Sequence, residues 1–405
     1  MRSLFSGVSA LKNHQVRMDV IGNNIANVNT VGFKSSRVTF RDTLSQTLRA
    51  ASSPQGGRGG VNPMQVGLGM ALGSIQTNQT QGSPEMTGRQ TDMAIEGNGF
   101  FVLSDGPRRF YTRAGLFDVD GDGSLISSVN GMKVMGWRAA TGQIDIDQPM
   151  EALLIPMGKT INPIATTTIK FGGNLDSRIA AGESVTQTVE VFDSLGDTHS
   201  VNLTFTKTDT GSNTWSWTAS GGSGTVAGGS GTIMFDTSGN MINATGPAFQ
   251  FTPPGANSVS ITPDFTGVVQ NAAEGTLVFK SQDGYPQGTL VGYSVDDSGV
   301  IIGEYSNGLT ENLAQIATAV FSNPNGLLRA GDTTFTVSAN SGEPEVGQPG
   351  SGANGKLTPG ALEMSNVDLS QEFTDMIITQ RGFQANSRII TTSDEMLQEL
   401  VNLKR

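Results

Sequence analysis

Asp193, Ser194 and His199 are the residue types of a hydrolytic triad, in which a carboxylate-held histidine takes the proton of a serine. They lie on what reads as one short turn between two strands, with no sharp strand-to-helix turn to expose the serine. We therefore read them as turn residues, with His199 at the surface. Asp118, Asp120, Asp122 and Gly123 satisfy the first half of a calcium loop, where alternate carboxylates point inward and glycine turns the chain. The position that must bring a bidentate glutamate is Val129, and the flanks Phe117 and Leu125–Ile126 look like strands, so an acidic hairpin turn is expected. Gly67-Leu68-Gly69 opens like a dinucleotide loop, but the last glycine is displaced to Gly73 and no βαβ unit surrounds it. The residues point to no catalytic site, no cofactor and no metal.

Composition narrows the classes further. With no cysteine there is no thiol nucleophile, disulfide framework, iron–sulfur cluster or cysteine zinc site. Two histidines, His14 and His199, cannot make a three-histidine metal site. A net charge of −11 argues against a nucleic-acid partner. No stretch approaches ~18 consecutive apolar residues, so no membrane insertion is expected. Lys12 and His14 interrupt the apolar run Leu4–Leu11, which argues against a secretory signal peptide. At roughly 150 residues per domain, 405 residues make two or three domains. Charged residues are only 15% and glycines number 53, the balance of a mainly β body with many tight turns.

The elements that stand apart are the two ends. From Arg2 to Ile25 apolar residues recur at four–three spacing, at Leu4, Val8, Leu11, Met18 and Ile25, with Gln15 and Gly22 in the remaining seam positions. That helix is expected to stop within Asn23–Gly32, among residues that tolerate left-handed backbone. At the other end, residues 368–403 read as a helix capped by Ser365 or Asn366. Leu369, Met376, Phe383, Ile390 and Leu397 recur every seventh position, beside a mixed seam in which Phe373 and Val401 are apolar. Lys404 and Arg405 close this helix at its negative end. Neither stripe can remain in water, and the residues between offer strand signals rather than helical partners. An antiparallel pair of the two ends, packed further against copies of itself, is the reading that buries both. Charge agrees: residues 1–50 hold seven Lys/Arg against two Asp, and residues 361–405 hold four against seven Asp/Glu.

Between the ends, Thr186–Asp193 and His199–Lys207 alternate as two strands around a turn, and Trp215 and Trp217 share one face of another. Further strands are expected at Thr276–Lys280, Leu290–Val295, Gly299–Tyr305 and Thr333–Ser338, with one short helix over Leu309–Phe321. Ser52–Val66 and Ser341–Gly360 have the Pro/Gly/Ser content of linkers.

Asn23–Lys34 (NNIANVNTVGFK), Ser365–Arg388 (SNVDLSQEFTDMIITQRGFQANSR) and Leu4–Leu11 (LFSGVSAL) closely resemble the terminal signatures of the bacterial flagellar rod, hook and hook-filament junction family. Asp92–Phe101, Phe110–Gly123 and Gly131–Gly136 resemble its shared β domain. Ala165–Ser177, Val191–His199 and Gly303–Gln315 resemble parts of the larger hook branch, which length also favours. The resemblance implies an α+β multidomain fold: paired terminal helices forming a coiled coil, with nested mainly-β domains, barrel- or sandwich-like, inserted between them. The implied domains are 1–30 with 362–405 (helical), 31–70 with 341–361 (connecting), 71–145 with 285–340 (inner β) and 146–284 (outer β). It implies a structural, non-enzymatic subunit of the extracellular hook attached to the basal body, a curved tube that serves motility as a universal joint. A distal-rod or junction role is the alternative. The implied partners are copies of itself, the rod, hook-cap and hook-filament junction proteins, and the flagellar type III export apparatus. The apolar seam residues above are the implied self-assembly surface. Asn23, Asn24, Asn27, Asn29, Gly32 and Phe33 form the family's signature turn.

Overall fold

A computed structural model describes residues 2–54, 59–140, 142–209, 213–246 and 248–403. Lys404 and Arg405, and residues 55–58 of the expected Ser52–Val66 linker, lie outside the described residues. Two helices end the chain, α1 (Arg2–Ala26) and α2 (Leu369–Asn402), and strands dominate between them. Asp368 caps α2, two or three residues beyond the expected caps: its carboxylate accepts from the backbone N–H of Ser370 at 2.8 Å and Gln371 at 3.3 Å. An aspartate there satisfies donors that have no partner inside the helix and sits at the positive end of its dipole.

The chain forms two compact units. The first comprises residues 1–156, 294–302 and 311–405, and the second residues 157–293 and 303–310.

In the first unit, the strand Lys133–Ala140 pairs with Phe100–Ser104 on one side and with Thr310–Ile316 on the other. Here the expected helix over Leu309–Phe321 is corrected: the segment is two strands, Thr310–Ile316 and Thr318–Val320. Residues 314–319 are buried without a break, so the alternation that marks a half-exposed strand is missing and a short apolar run passes for helix. The 341–360 stretch, expected as a linker, carries Glu345–Gly347 paired with Thr318–Val320 and Lys356–Pro359 paired with Met93–Glu96. The acidic turn lies between the strands Phe117–Val119 and Leu125–Ser127, and Asp120 spends an oxygen on the N–H groups of Asp122 and Ser124. Among the described residues no group of three or more His, Asp or Glu side chains could hold a metal ion. No described helix is long and apolar enough to cross a membrane. Gly67-Leu68-Gly69 joins two strands, Met64–Gly67 and Met70–Thr77, with no helix following.

The second unit contains two five-stranded sheets that share one core. Ser184–Phe192 and Thr198–Lys207 pair residue for residue, as their alternation predicts. Trp215 and Trp217 do share a face, and both rings are buried with Phe171, Phe205 and Phe265. Their indole N–H groups donate to Gln270 Oε1 and to the Thr245 carbonyl, so burial leaves neither unsatisfied. Each of those phenylalanine side chains contributes about 1.5–3 kcal/mol on leaving water.

His199 is not the surface or turn residue expected. It sits on a strand with its side chain 12% accessible, its Nε2 3.0 Å from Asp193 Oδ2 and its Nδ1 3.2 Å from Ser223 Oγ. Ser194 makes no hydrogen bond to the ring among those described. Asp193 also accepts from the N–H groups of Leu195 and Asp197, so its work is to lock the turn. Burial opposes its charge, but the His199 bond and those two N–H groups outweigh it and hold its pKa below the usual aspartate value. Such a group stabilises the fold above its unfolded pKa, and that contribution is lost as pH falls through the lower folded value. Near-UV dichroism of the buried tryptophans should therefore show Asp193→Asn melting below the parent chain at pH 7, with the gap closing toward pH 3. A gap independent of pH would contradict this.

Candidate assembly interface

The terminal helices run antiparallel within the first unit. Gly7, His14, Arg17 and Asn24 of α1 meet Ile390, Gly382, Asp375 and Glu372 of α2 in that order. A Cβ on Gly7 would stand 3.2 Å from Ile390, and one on Gly382 would stand 3.0 Å from the His14 ring, so two glycines set how closely the helices approach. Arg17 and Asp375 form an ion pair at 3.0 Å, and Asn24 Nδ2 donates to Glu372 Oε1 at 2.9 Å. Burial raises the Glu372 pKa, the Asn24 bond opposes that, and Asp375 adds to it. Thr379 and Ser393 are the described residues of α2 that are buried. Glycines and polar pairs thus stand beside Ile390 in this contact.

The expected seam residues are placed differently. Ile390 reaches the partner helix at Gly7, and Leu4, Leu11, Met18, Ile25, Met376 and Phe383 are partly covered. Val8, Leu369, Phe373 and Leu397 are exposed, Phe373 by 51%. The same outward surface of α2 carries Ile377, Ile378 and Ile389, and α1 adds Phe5 at 72%. None of the expected seam residues is buried.

The signature turn ties α1 to the β body. Asn24, buried, accepts from Ser36 N–H and donates to the Ser36 carbonyl as well as to Glu372, which fixes the helix end, the strand Ser36–Asp42 and α2 together. Asn27 donates to the Asn23 carbonyl and accepts from the Thr30 hydroxyl. Asn29 is exposed. Gly32 has φ +68° and donates to the Glu363 carbonyl, and a Cβ there would lie 2.6 Å from the backbone of Ala114, so only glycine fits. Phe33 is buried beneath the Arg329 guanidinium, 5.1 Å from the ring centre.

Sequence reasoning missed what lies behind this turn. Glu363 is 1% accessible and pairs with two buried cations, Lys34 at 2.6 Å and Arg113 at 3.4 Å, while Gly82 N–H donates to the same carboxylate. Lys34 also donates to the Thr80 carbonyl, and Arg113 stands over the Phe100 ring. Burial lowers the pKa of both cations, with Glu363 opposing. The available signal was a glutamate set among apolar neighbours, in ALEM, and a lysine directly after a phenylalanine, in GFK.

Four family descriptions match the chain in order. They are "Flagella basal body rod protein" over residues 4–34, "Flagellar hook protein FlgE/F/G D1 domain" over 94–165, "Flagellar basal body protein FlaE D2 domain" over 163–285, and "Flagellar basal body rod FlgEFG protein C-terminal" over 358–403. The chain is 42% identical to the flagellar hook protein FlgE of Borreliella burgdorferi and 41% identical to that of Treponema pallidum, in both cases over 100% of each chain. The crystal structure of Helicobacter pylori flagellar hook protein FlgE2 shares the fold, with TM-score 0.55 at 15% identity over 69% of this chain and 100% of that one.

Proposed function

The chain belongs to the flagellar hook protein family, and from that premise we propose how it builds the hook. It is a structural subunit rather than an enzyme, placed in the hook that is attached to the basal body. The tube forms by self-association of the terminal helices as a coiled coil, with the outward apolar stripes meeting those of other copies. One observation carries this reading: although the two helices pair with each other, they leave Phe5, Val8, Phe373, Ile377 and Ile378 exposed. Exposed apolar surface of this kind marks a site of association.

The division into a helical domain (1–30 with 362–405), a connecting region, an inner β domain and an outer insertion over about 146–284 belongs to the same proposal. So do rod, hook-cap and junction proteins as end neighbours and the type III apparatus as the export route. Low charge and an excess of Ser, Thr, Asn and Gly suit polar contacts that exchange as the tube bends, which is what a universal joint requires. Purified chain, concentrated and seeded, should form curved tubes in negative stain. Straight tubes would favour the distal-rod alternative, and no tubes would refute self-assembly.

A further inference from the structure

At the closed end of the helix pair, beside the signature turn, the first unit contains a cavity of about 460 Å³, within the size range that buries a bound group. Its walls include Phe33, Ala114, Leu116, Val129 and Phe335, and Val129 is half exposed. Arg329 overhangs it, stacked on Phe33, donating to the Lys34 carbonyl and paired with no carboxylate among the described ion pairs. Asp332 and Thr333 on its rim have φ of +47° and +56° and are the described non-glycine residues with positive φ. For a β-branched threonine that backbone is strained, and strain of this kind collects at binding surfaces.

At the open end of the pair, α2 outruns α1. Gly7 faces Asn386 and Ile390, so Arg2 falls opposite about residue 395 and, among the described residues, no helix lies beside the final turns of α2. They carry Met396, Leu400, Val401 and Leu403, all more than 60% exposed, flanked by Asp394 and Glu399.

We propose that the apolar end of α2 in one copy seats in the Phe33–Phe335 cavity of a second copy. Apolar surface meets apolar wall, and the acidic flanks of the helix meet the Arg329 guanidinium. A chain cannot fill its own cavity. Glu372 bonds Asn24 at the cavity end, and Leu400 lies 28 residues further along α2, about 42 Å away at 1.5 Å per residue. The contact is therefore heterologous, and head-to-tail contacts that do not close make open rows. It deepens the assembly reading above, on which it rests, and sets a subunit repeat of about 42 Å along the helix direction.

The absence of cysteine makes the test direct. Val129→Cys and Leu400→Cys chains, each prepared separately, are mixed with unmodified chain, assembled, oxidised and run on a non-reducing gel. Thr333→Cys with Met396→Cys provides a second pair. The expected result is a disulfide-linked dimer from each mixture and none from any single variant, nor from Leu400→Cys mixed with Leu195→Cys of the other unit. Tubes without the mixed dimer, or dimers from Leu400→Cys alone, would overturn the seating and leave the subunit reading intact. Failure of the unmodified chain to form tubes would overturn both.

Discussion

Replacing Phe383 by aspartate should abolish tube formation while leaving the melting of the β units unchanged. Phe383 stands midway along α2, partly covered, in the row that also contains Met376 and Ile390. In the free chain water still reaches this position, so a carboxylate there remains solvated. In the proposed tube another copy covers what water still reaches at this position, and an unpaired charge there costs several kcal/mol, by order of magnitude. The penalty recurs in every subunit, so polymerisation should fail outright rather than weaken by degrees. Sedimentation and negative stain read assembly, and thermal dichroism reads the fold. Normal tubes from this variant would remove the row from the interface.

Glu363→Ala should be the most damaging single substitution to the fold of the first unit. It strands Lys34 and Arg113, both buried, without an anion, and frees the Gly82 N–H as well. Breaking a buried ion pair from one side costs about 3–5 kcal/mol. At about 2–4 °C per kcal/mol for a unit of this size, the melting temperature should fall by about 10 °C. Lys34→Met should cost less, because Arg113 still pairs with Glu363, and adding it to Glu363→Ala should recover part of the loss. A double variant no better than Glu363→Ala alone would mean that packing, rather than uncompensated charge, sets the cost.

How far each feature was legible follows from the range of the forces behind it. The Ser184–Phe192 and Thr198–Lys207 hairpin was readable because its alternation and turn lie within two dozen residues. The segment 310–320 was misread because burial on both faces erases alternation. His199 was misplaced because Ser223, its second partner, lies 24 residues away in a glycine–serine loop with no periodic signal.

By itself the sequence determined that two amphipathic helices end the chain, that strands fill the middle and that no thiol or three-histidine metal chemistry is available. Those outcomes depend on composition, local period and capping, which act over one or two turns of chain. The tertiary structure alone decided which face of each helix meets the other. An apolar stripe states that it needs cover without saying whose, and Gly7, Gly382 and the Arg17–Asp375 pair won the close approach because small residues let backbones draw together. It alone brought Glu363 to Lys34, 329 residues away, and to Arg113, 250 residues away. Charges that far apart in the chain share a dry site only after the sheets between them have formed, and nothing local to either residue encodes that meeting.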